Sequence, residues 1–107
     1  MKNYLGEFEE LVLLTVGVLG DAGYGVSIKE ELQKRSGKKP SIGALHTALH
    51  RLELKEYIES WEGGATAKRG GRKKRFYKLS SSGQSALAIA NRIRNEMFDL
   101  IPNVDLQ

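Results

Sequence analysis

The chain has 107 residues, with 17 Lys or Arg against 13 Asp or Glu and a formal net charge of +4. This length supports one domain with a modest core, and the mild positive charge permits a nucleic-acid or anionic partner without requiring one. The sequence has no cysteine, which excludes disulfides, thiolate metal sites and a cysteine nucleophile. No apolar run reaches the ~20 residues that span a bilayer, and glutamates directly precede the first run, so we expect a cytoplasmic protein with no membrane partner.

The first predicted helix covers residues 5–19 and is apolar on nearly all sides, and the glycines at positions 20 and 23 end it. A helix of this kind is buried on more than one face. Because a chain this short has few elements to cover those faces, we expect a second copy of the chain to cover one of them.

The second helix is predicted over residues 24–35, with Gly37 just beyond its C-terminus. Its core face is expected to carry Val26, Ile28 and Leu32, with Tyr24 as a further candidate. The turn to the next helix is short, because Ser41 is already a favourable N-cap residue.

The third predicted helix begins after Ser41 and ends near Glu56. Its apolar residues recur at spacings of three and four, and we expect them to face the core: Ile42, Leu45, Leu49 and Leu52. Two helices joined by a tight turn are typical of a helix-turn-helix.

Two short strands follow, residues 57–62 and 73–79, and are predicted to pair as a hairpin. Glycine pairs bracket their connection, and no Asp or Glu occurs from residue 63 to residue 95. Such a charge run is usually a solvated surface, but beside a helix-turn-helix it also suits a DNA-binding wing. The aromatic residues are expected to pack the hairpin and core, the alternative being a platform for a planar ligand at a dimer interface: Tyr24, Tyr57, Trp61, Phe76 and Tyr77.

The last helix is predicted to start at a cap formed by Ser80 or Ser81 and to end at Pro102. Five residues step along it by four, three, four and three, as in a coiled-coil seam: Ala86, Ala90, Ile93, Met97 and Leu100. Packing within one chain is the alternative, but one small core cannot easily cover both this helix and the first. We therefore predict a homodimer whose interface adds Leu5, Phe8 and Val12 to this seam.

The predicted fold class is mainly α with a small β-hairpin. Residues 1–79 are expected to form a winged helix-turn-helix DNA-binding domain, and residues 80–107 a C-terminal dimerisation helix and tail that belong to the same compact unit.

A helix that enters the major groove needs small or polar residues at its N-terminal end, and the third helix has them. The predicted DNA contacts from this helix and the turn before it are Lys38, Lys39, Ser41, Gly43, Ala44, His46, Thr47, His50 and Arg51. The predicted contacts from the wing are Lys68, Arg69, Arg72, Lys73, Lys74 and Arg75.

His46 and His50 have the i,i+4 spacing of zinc-binding helices, but the sequence supplies no third histidine and no cysteine. We therefore predict no metal site and no other cofactor. No nucleophile–base pair, phosphate loop or paired acid site is visible, so the sequence predicts no catalytic residue and no enzyme.

The sequence resembles the PadR-type winged-helix transcriptional regulators, in their short form with a single C-terminal helix. The resemblance lies in the apolar helix at 11–19, Gly-Tyr-Gly-Val at 23–26, the third helix at 43–53, and the wing with its exit at 70–83. This chain departs from the family where His46-Thr47 replaces Tyr-Pro, where Gly25 replaces Glu, and where Glu56 stands at a position that is often glycine.

The resemblance implies a homodimer joined through its first and last helices, which binds double-stranded DNA at a pseudo-palindromic operator. It also implies repression, often relieved by a small-molecule effector that would lie in the dimer crevice. Because one fold supports several functions, the alternative is a winged-helix protein–protein interaction module without specific DNA binding.

Overall fold

The computed structural model describes residues 5–63 and 73–102. In this part of the chain the element order is α1 (Glu7–Leu19), β1 (Gly23–Tyr24), α2 (Gly25–Ser36), α3 (Ile42–Leu54), β2 (Ile58–Gly63), β3 (Lys74–Leu79) and α4 (Ser81–Leu100). The predicted class, mainly α with a small β-hairpin in a winged helix-turn-helix, is confirmed.

The sheet has three antiparallel strands in the order β1-β3-β2, rather than the two of the predicted hairpin. In its register Trp61 lies opposite Phe76, and Phe76 lies opposite Tyr24 on the other side. The third strand is β1, two residues long, which is too short to show a period-two pattern in the sequence.

The core lies between α1, α2, α3 and the inner face of the sheet. Its fully buried side chains are Val12, Leu13, Val16, Ile28, Leu32, Leu45, Leu49 and Leu52. The prediction of Val12 as a dimer contact is therefore wrong, because Val12 is 0% exposed inside its own protomer.

Two residues predicted for the core are exposed instead: Val26 at 54% and Ile42 at 49%. Val26 precedes Ile28 by two residues, or about 200° around a helix, so the two cannot share a face. Ile42 has the right spacing, but residues 41–44 are all exposed. The first turn of α3 therefore extends beyond the core.

The turn from α3 to β2 is made by Glu56, whose φ of 64° is left-handed. Its N–H donates to the Glu53 carbonyl at 2.9 Å and the next N–H, that of Tyr57, donates to the Leu52 carbonyl at 3.0 Å. This pair of bonds is the Schellman pattern that ends a helix, in which the left-handed position is usually glycine.

Glu56→Gly is expected to raise the free energy of unfolding by about 1 kcal/mol. Relief of a left-handed non-glycine residue contributes about 1–2 kcal/mol, and the greater freedom of glycine in the unfolded chain offsets roughly 0.5–1 kcal/mol of it. Urea unfolding measures the difference. Glu56→Ala is the control, because it removes the charge and keeps the Cβ. An alanine variant as stable as the glycine variant would contradict the backbone explanation.

The start of α4 is fastened to the same turn. Ser80 caps the helix by accepting from the Gly83 N–H at 3.0 Å, so the cap is Ser80 of the two predicted candidates. The carbonyl of Glu56 accepts from the hydroxyls of Ser80 at 2.7 Å and Ser82 at 2.8 Å. A Cβ built on Gly83 would lie 2.1 Å from the Tyr57 carbonyl oxygen, so only glycine permits this approach.

Candidate nucleic-acid interface

The third helix buries one face and leaves the other exposed. Leu45, Ala48, Leu49 and Leu52 are buried, and the Ser41 hydroxyl accepts from the Ala44 N–H at 3.0 Å to start the helix. Every residue predicted for DNA contact in and before this helix is exposed: Lys38, Lys39, Ser41, Gly43, Ala44, His46, Thr47, His50 and Arg51.

The space around two glycines, Gly43 and Gly25, shows which groups lie near the exposed face of α3. A Cβ on Gly43 would meet nothing within 4 Å, so packing among the described residues does not require a glycine there. A Cβ on Gly25 would lie 3.9 Å from the His46 ring. The start of α2 therefore adjoins the exposed face of α3 at His46.

The wing residues divide into two groups. Lys73, Lys74 and Arg75 are exposed at the start of β3. The other three predicted wing contacts, Lys68, Arg69 and Arg72, lie outside the described residues.

The outer face of the sheet carries a row of three aromatic rings, Tyr24, Phe76 and Trp61, which we call the aromatic row. The Tyr24 and Phe76 centroids are 5.5 Å apart in an edge arrangement, and those of Phe76 and Trp61 are 5.8 Å apart and stacked. Lys74 Nζ lies 4.5 Å from the Tyr24 ring centroid, and Lys78 Nζ lies 5.8 Å from that of Trp61. The prediction that these rings pack the hairpin is confirmed.

The inner face of the sheet meets α3 through Glu53. Its carboxylate accepts from the Ser60 hydroxyl at 2.6 Å and lies 3.9 Å from the Arg75 guanidinium. Burial raises the pKa of Tyr77 above 10.0, the Glu53 carboxylate acts in the same direction, and Arg75 opposes them. Tyr77 is therefore a neutral packing residue at physiological pH.

Two adjacent carboxylates of α1 bind two different helices. Glu9 is only 8% exposed; it lies 2.6 Å from Lys55 Nζ and 3.8 Å from the guanidinium of Arg51. Glu10 accepts from Arg94 of α4 at 2.7 Å. Arg51, a predicted DNA contact, thus has a carboxylate beside it, although its side chain remains 64% exposed.

In the far half of α4 every residue from 91 to 100 is exposed in the protomer. Of the predicted dimer residues, Leu5, Phe8 and Ala86 are partly buried against the core, and Ala90 is half-buried. Ile93, Met97 and Leu100 are exposed, as are Ile89 and Phe98 on the same helix and Leu14 and Val18 on α1.

Within residues 5–63 and 73–102, no three His, Asp or Glu side chains come together as metal ligands. None of the helices described is both long and apolar enough to cross a membrane.

An exposed helix after a short turn, followed by an antiparallel hairpin with a basic edge, defines a winged helix-turn-helix of the DNA-binding class. The model of the transcriptional regulator PadR-like family matches residues 14–89. The chain belongs to this family, and it is a DNA-binding transcriptional regulator.

Solved structures agree with this fold. A PadR family transcription regulator from Clostridium difficile superposes with a TM-score of 0.72 at 21% identity, over 88% of this chain and 94% of that chain. A PadR-like transcription factor from Bacteroides fragilis gives 0.73 at 19%, over 88% and 85%. A PadR-like transcriptional regulator from Bacillus cereus gives 0.68 at 19%, over 91% and 93%. No curated protein matches the sequence significantly.

Proposed function

We propose that the protein is a repressor that binds a pseudo-palindromic DNA operator as a homodimer. Residues 1–79 act as the DNA-binding domain, and residues 80–107 supply the dimerisation helix and tail. The observation that carries the proposal is the exposed face of α3: its first turn extends beyond the core, and the polar side chains that follow on that face are exposed as well, namely His46, Thr47, His50 and Arg51.

The charge pattern around α3 supports DNA as the ligand. Between Glu31 and Glu53 the chain has no acidic residue, and the exposed Lys38 and Lys39 lie just before the helix. The exposed Lys73 and Lys74 stand at the root of the wing, and the exposed Arg75 beside them lies 3.9 Å from the Glu53 carboxylate. Such cations bind phosphates, while Thr47, His50 and Arg51 have the hydrogen-bonding groups that reach base edges.

The uncovered half of α4 supports the homodimer. Twenty residues make this helix about 30 Å long, and an isolated solvated helix of this kind is marginally stable. A second copy packed on Ile93 and Met97 would bury its apolar side chains. The crevice between the protomers is then the place for a small-molecule effector.

Fluorescence anisotropy tests the proposal, using a duplex from upstream of the protein's own coding region beside a scrambled duplex at several salt concentrations. Tighter binding to the upstream duplex, with a steep decrease in affinity as salt rises, is expected. Equal weak binding to both duplexes that disappears in modest salt would favour the protein–protein interaction module.

Gly43→Ala is expected to weaken specific DNA binding at least tenfold, on the order of 1.4 kcal/mol, because the added methyl group would stand between the helix and the DNA. The fold has room for it, so stability should be unchanged or about 0.5 kcal/mol higher. Gly6→Ala is the matched control: its Cβ is equally open, and it lies at the start of α1, near the Glu10 pair with α4. Equal affinities for the two variants would contradict a close approach of α3 to DNA.

A further inference from the structure

We infer that Tyr24 is a positioning residue for DNA binding: its ring holds the Lys74 ammonium at the root of the wing. This inference rests on the proposed function. It concerns a residue that the sequence pattern assigns to packing.

The sheet register brings the two side chains together. Tyr24 pairs with Phe76, and Lys74 precedes Phe76 by two residues, so all three side chains share the outer face. The lysine reaches diagonally across to β1 and puts its Nζ 4.5 Å from the ring centroid. This is well within the ~6 Å over which a ring attracts a cation.

The position of Lys74 is suited to a phosphate contact. Lys74 pairs with Gly63, the last residue of β2, so it stands at the last described pair of the two wing strands. Tyr24 is followed by Gly25, which adjoins the His46 ring. The ring that holds the ammonium thus belongs to the residue directly before the one that adjoins the exposed face of α3.

The other end of the aromatic row provides an internal comparison. Lys78 lies 5.8 Å from the Trp61 ring, but it also lies 3.9 Å from the Glu59 carboxylate, which compensates its charge. Among the residues that the structure describes, Lys74 has no such carboxylate within ion-pair distance. The ring restrains Lys74 without neutralising it, so its remaining N–H groups can donate to a phosphate.

Restraint matters because a free lysine loses side-chain entropy when it binds. Immobilising one such side chain at an interface changes affinity by roughly three- to tenfold. The ring of Tyr24 already restrains the Lys74 side chain in the free protein, so less side-chain entropy is lost when DNA binds.

A double-mutant cycle tests the inference by anisotropy on the full-length chain. Tyr24→Leu and Lys74→Ala are each expected to weaken duplex binding roughly three- to tenfold. The double variant should be less than about twofold weaker than either, because both act through one contact. Tyr24→Phe, which keeps the ring, and Lys78→Ala, which removes the compensated lysine, should stay within about twofold of the unaltered protein.

Additive losses, or unchanged binding by Tyr24→Leu, would overturn the role of Tyr24 and leave the proposed function standing. Failure of the unaltered protein to bind duplex DNA would overturn both.

A second measurement covers the case in which Tyr24→Leu unfolds. In the folded Tyr24→Phe variant, the ring should shift the NMR signals of the Lys74 ε-methylene protons upfield of the values that lysines without a neighbouring ring show. Signals at ordinary lysine positions would overturn the inference.

Discussion

Gly83→Ala is expected to lower the free energy of unfolding by about 3 kcal/mol or more. In a helix interior, alanine is normally more favourable than glycine by up to about 1 kcal/mol. The expected loss of stability therefore comes from the steric contact of the new Cβ alone. The new Cβ would lie 2.1 Å from the Tyr57 carbonyl oxygen, and neither group belongs to a flexible side chain. The first turn of α4 must move, which separates the Ser80 and Ser82 hydroxyls from the Glu56 carbonyl.

Thermal unfolding measures this effect, and a decrease in Tm of at least about 10 °C is expected for a chain of this size. Gly43→Ala is the control, because its Cβ meets nothing and its stability should not fall. A Gly83→Ala variant with unchanged Tm would mean that the start of α4 does not approach the Tyr57 carbonyl as described.

The double substitution Ile93→Asp and Met97→Asp is expected to convert the proposed homodimer into a monomer. Both side chains are exposed in the protomer, at 46% and 64%, so two carboxylates there are solvated in the monomer and buried only in the dimer. Because one protomer would then contact a single half-site, operator affinity should fall roughly a hundredfold or more.

Sedimentation analysis gives the oligomeric state, and anisotropy gives the affinity. Asn91→Asp with Asn95→Asp is the matched control, since it adds the same charge at the same spacing about 200° around the helix. Both asparagines are exposed. If the Ile93→Asp, Met97→Asp variant stays dimeric, the assignment of these residues to the dimer interface is wrong. If the asparagine control also dissociates, the added negative charge, rather than its position on the helix, causes the dissociation.

Most of the fold could be predicted because its helices and strands have clear local sequence signals. Ser41 and Ser80 cap α3 and α4, and both helices carry apolar residues at spacings of three and four. The change from helix to strand near Tyr57 is equally visible, because bulky residues there replace the helical period. The element boundaries differ from the predicted ones by no more than about two residues.

The remaining features depend on contacts between distant residues. Glu9 looks like a surface residue in the sequence, since its partners Arg51 and Lys55 come more than 40 residues later. Ile42 has the spacing of a buried residue in the sequence. It is exposed because the core ends before the first turn of α3, which only the structure shows. The contact between the Lys74 ammonium and the Tyr24 ring depends on the register between β1 and β3. A strand of two residues is too short for that register to be predicted from the sequence.

The site could be predicted as a set of residues rather than as an arrangement. The sequence indicates two basic stretches without acids: no Asp or Glu occurs between Glu31 and Glu53, or from residue 63 to residue 95. It does not show that Gly25 adjoins His46, or that a carboxylate of α1 stands beside Arg51. Such neighbours decide how each cation is oriented.

The adjacent glutamates of α1 have a mechanical consequence. Neighbouring residues of a helix point about 100° apart, so Glu9 and Glu10 fasten α1 to α3 on one side and to α4 on the other. Arg51 and Arg94 lie within α3 and α4, and Lys55 directly follows the last residue of α3. In a dimer joined through α4, the distance between the two α3 helices would thus be fixed by the angle of α1, and a tilt of α4 would change the spacing of half-sites that the pair can span.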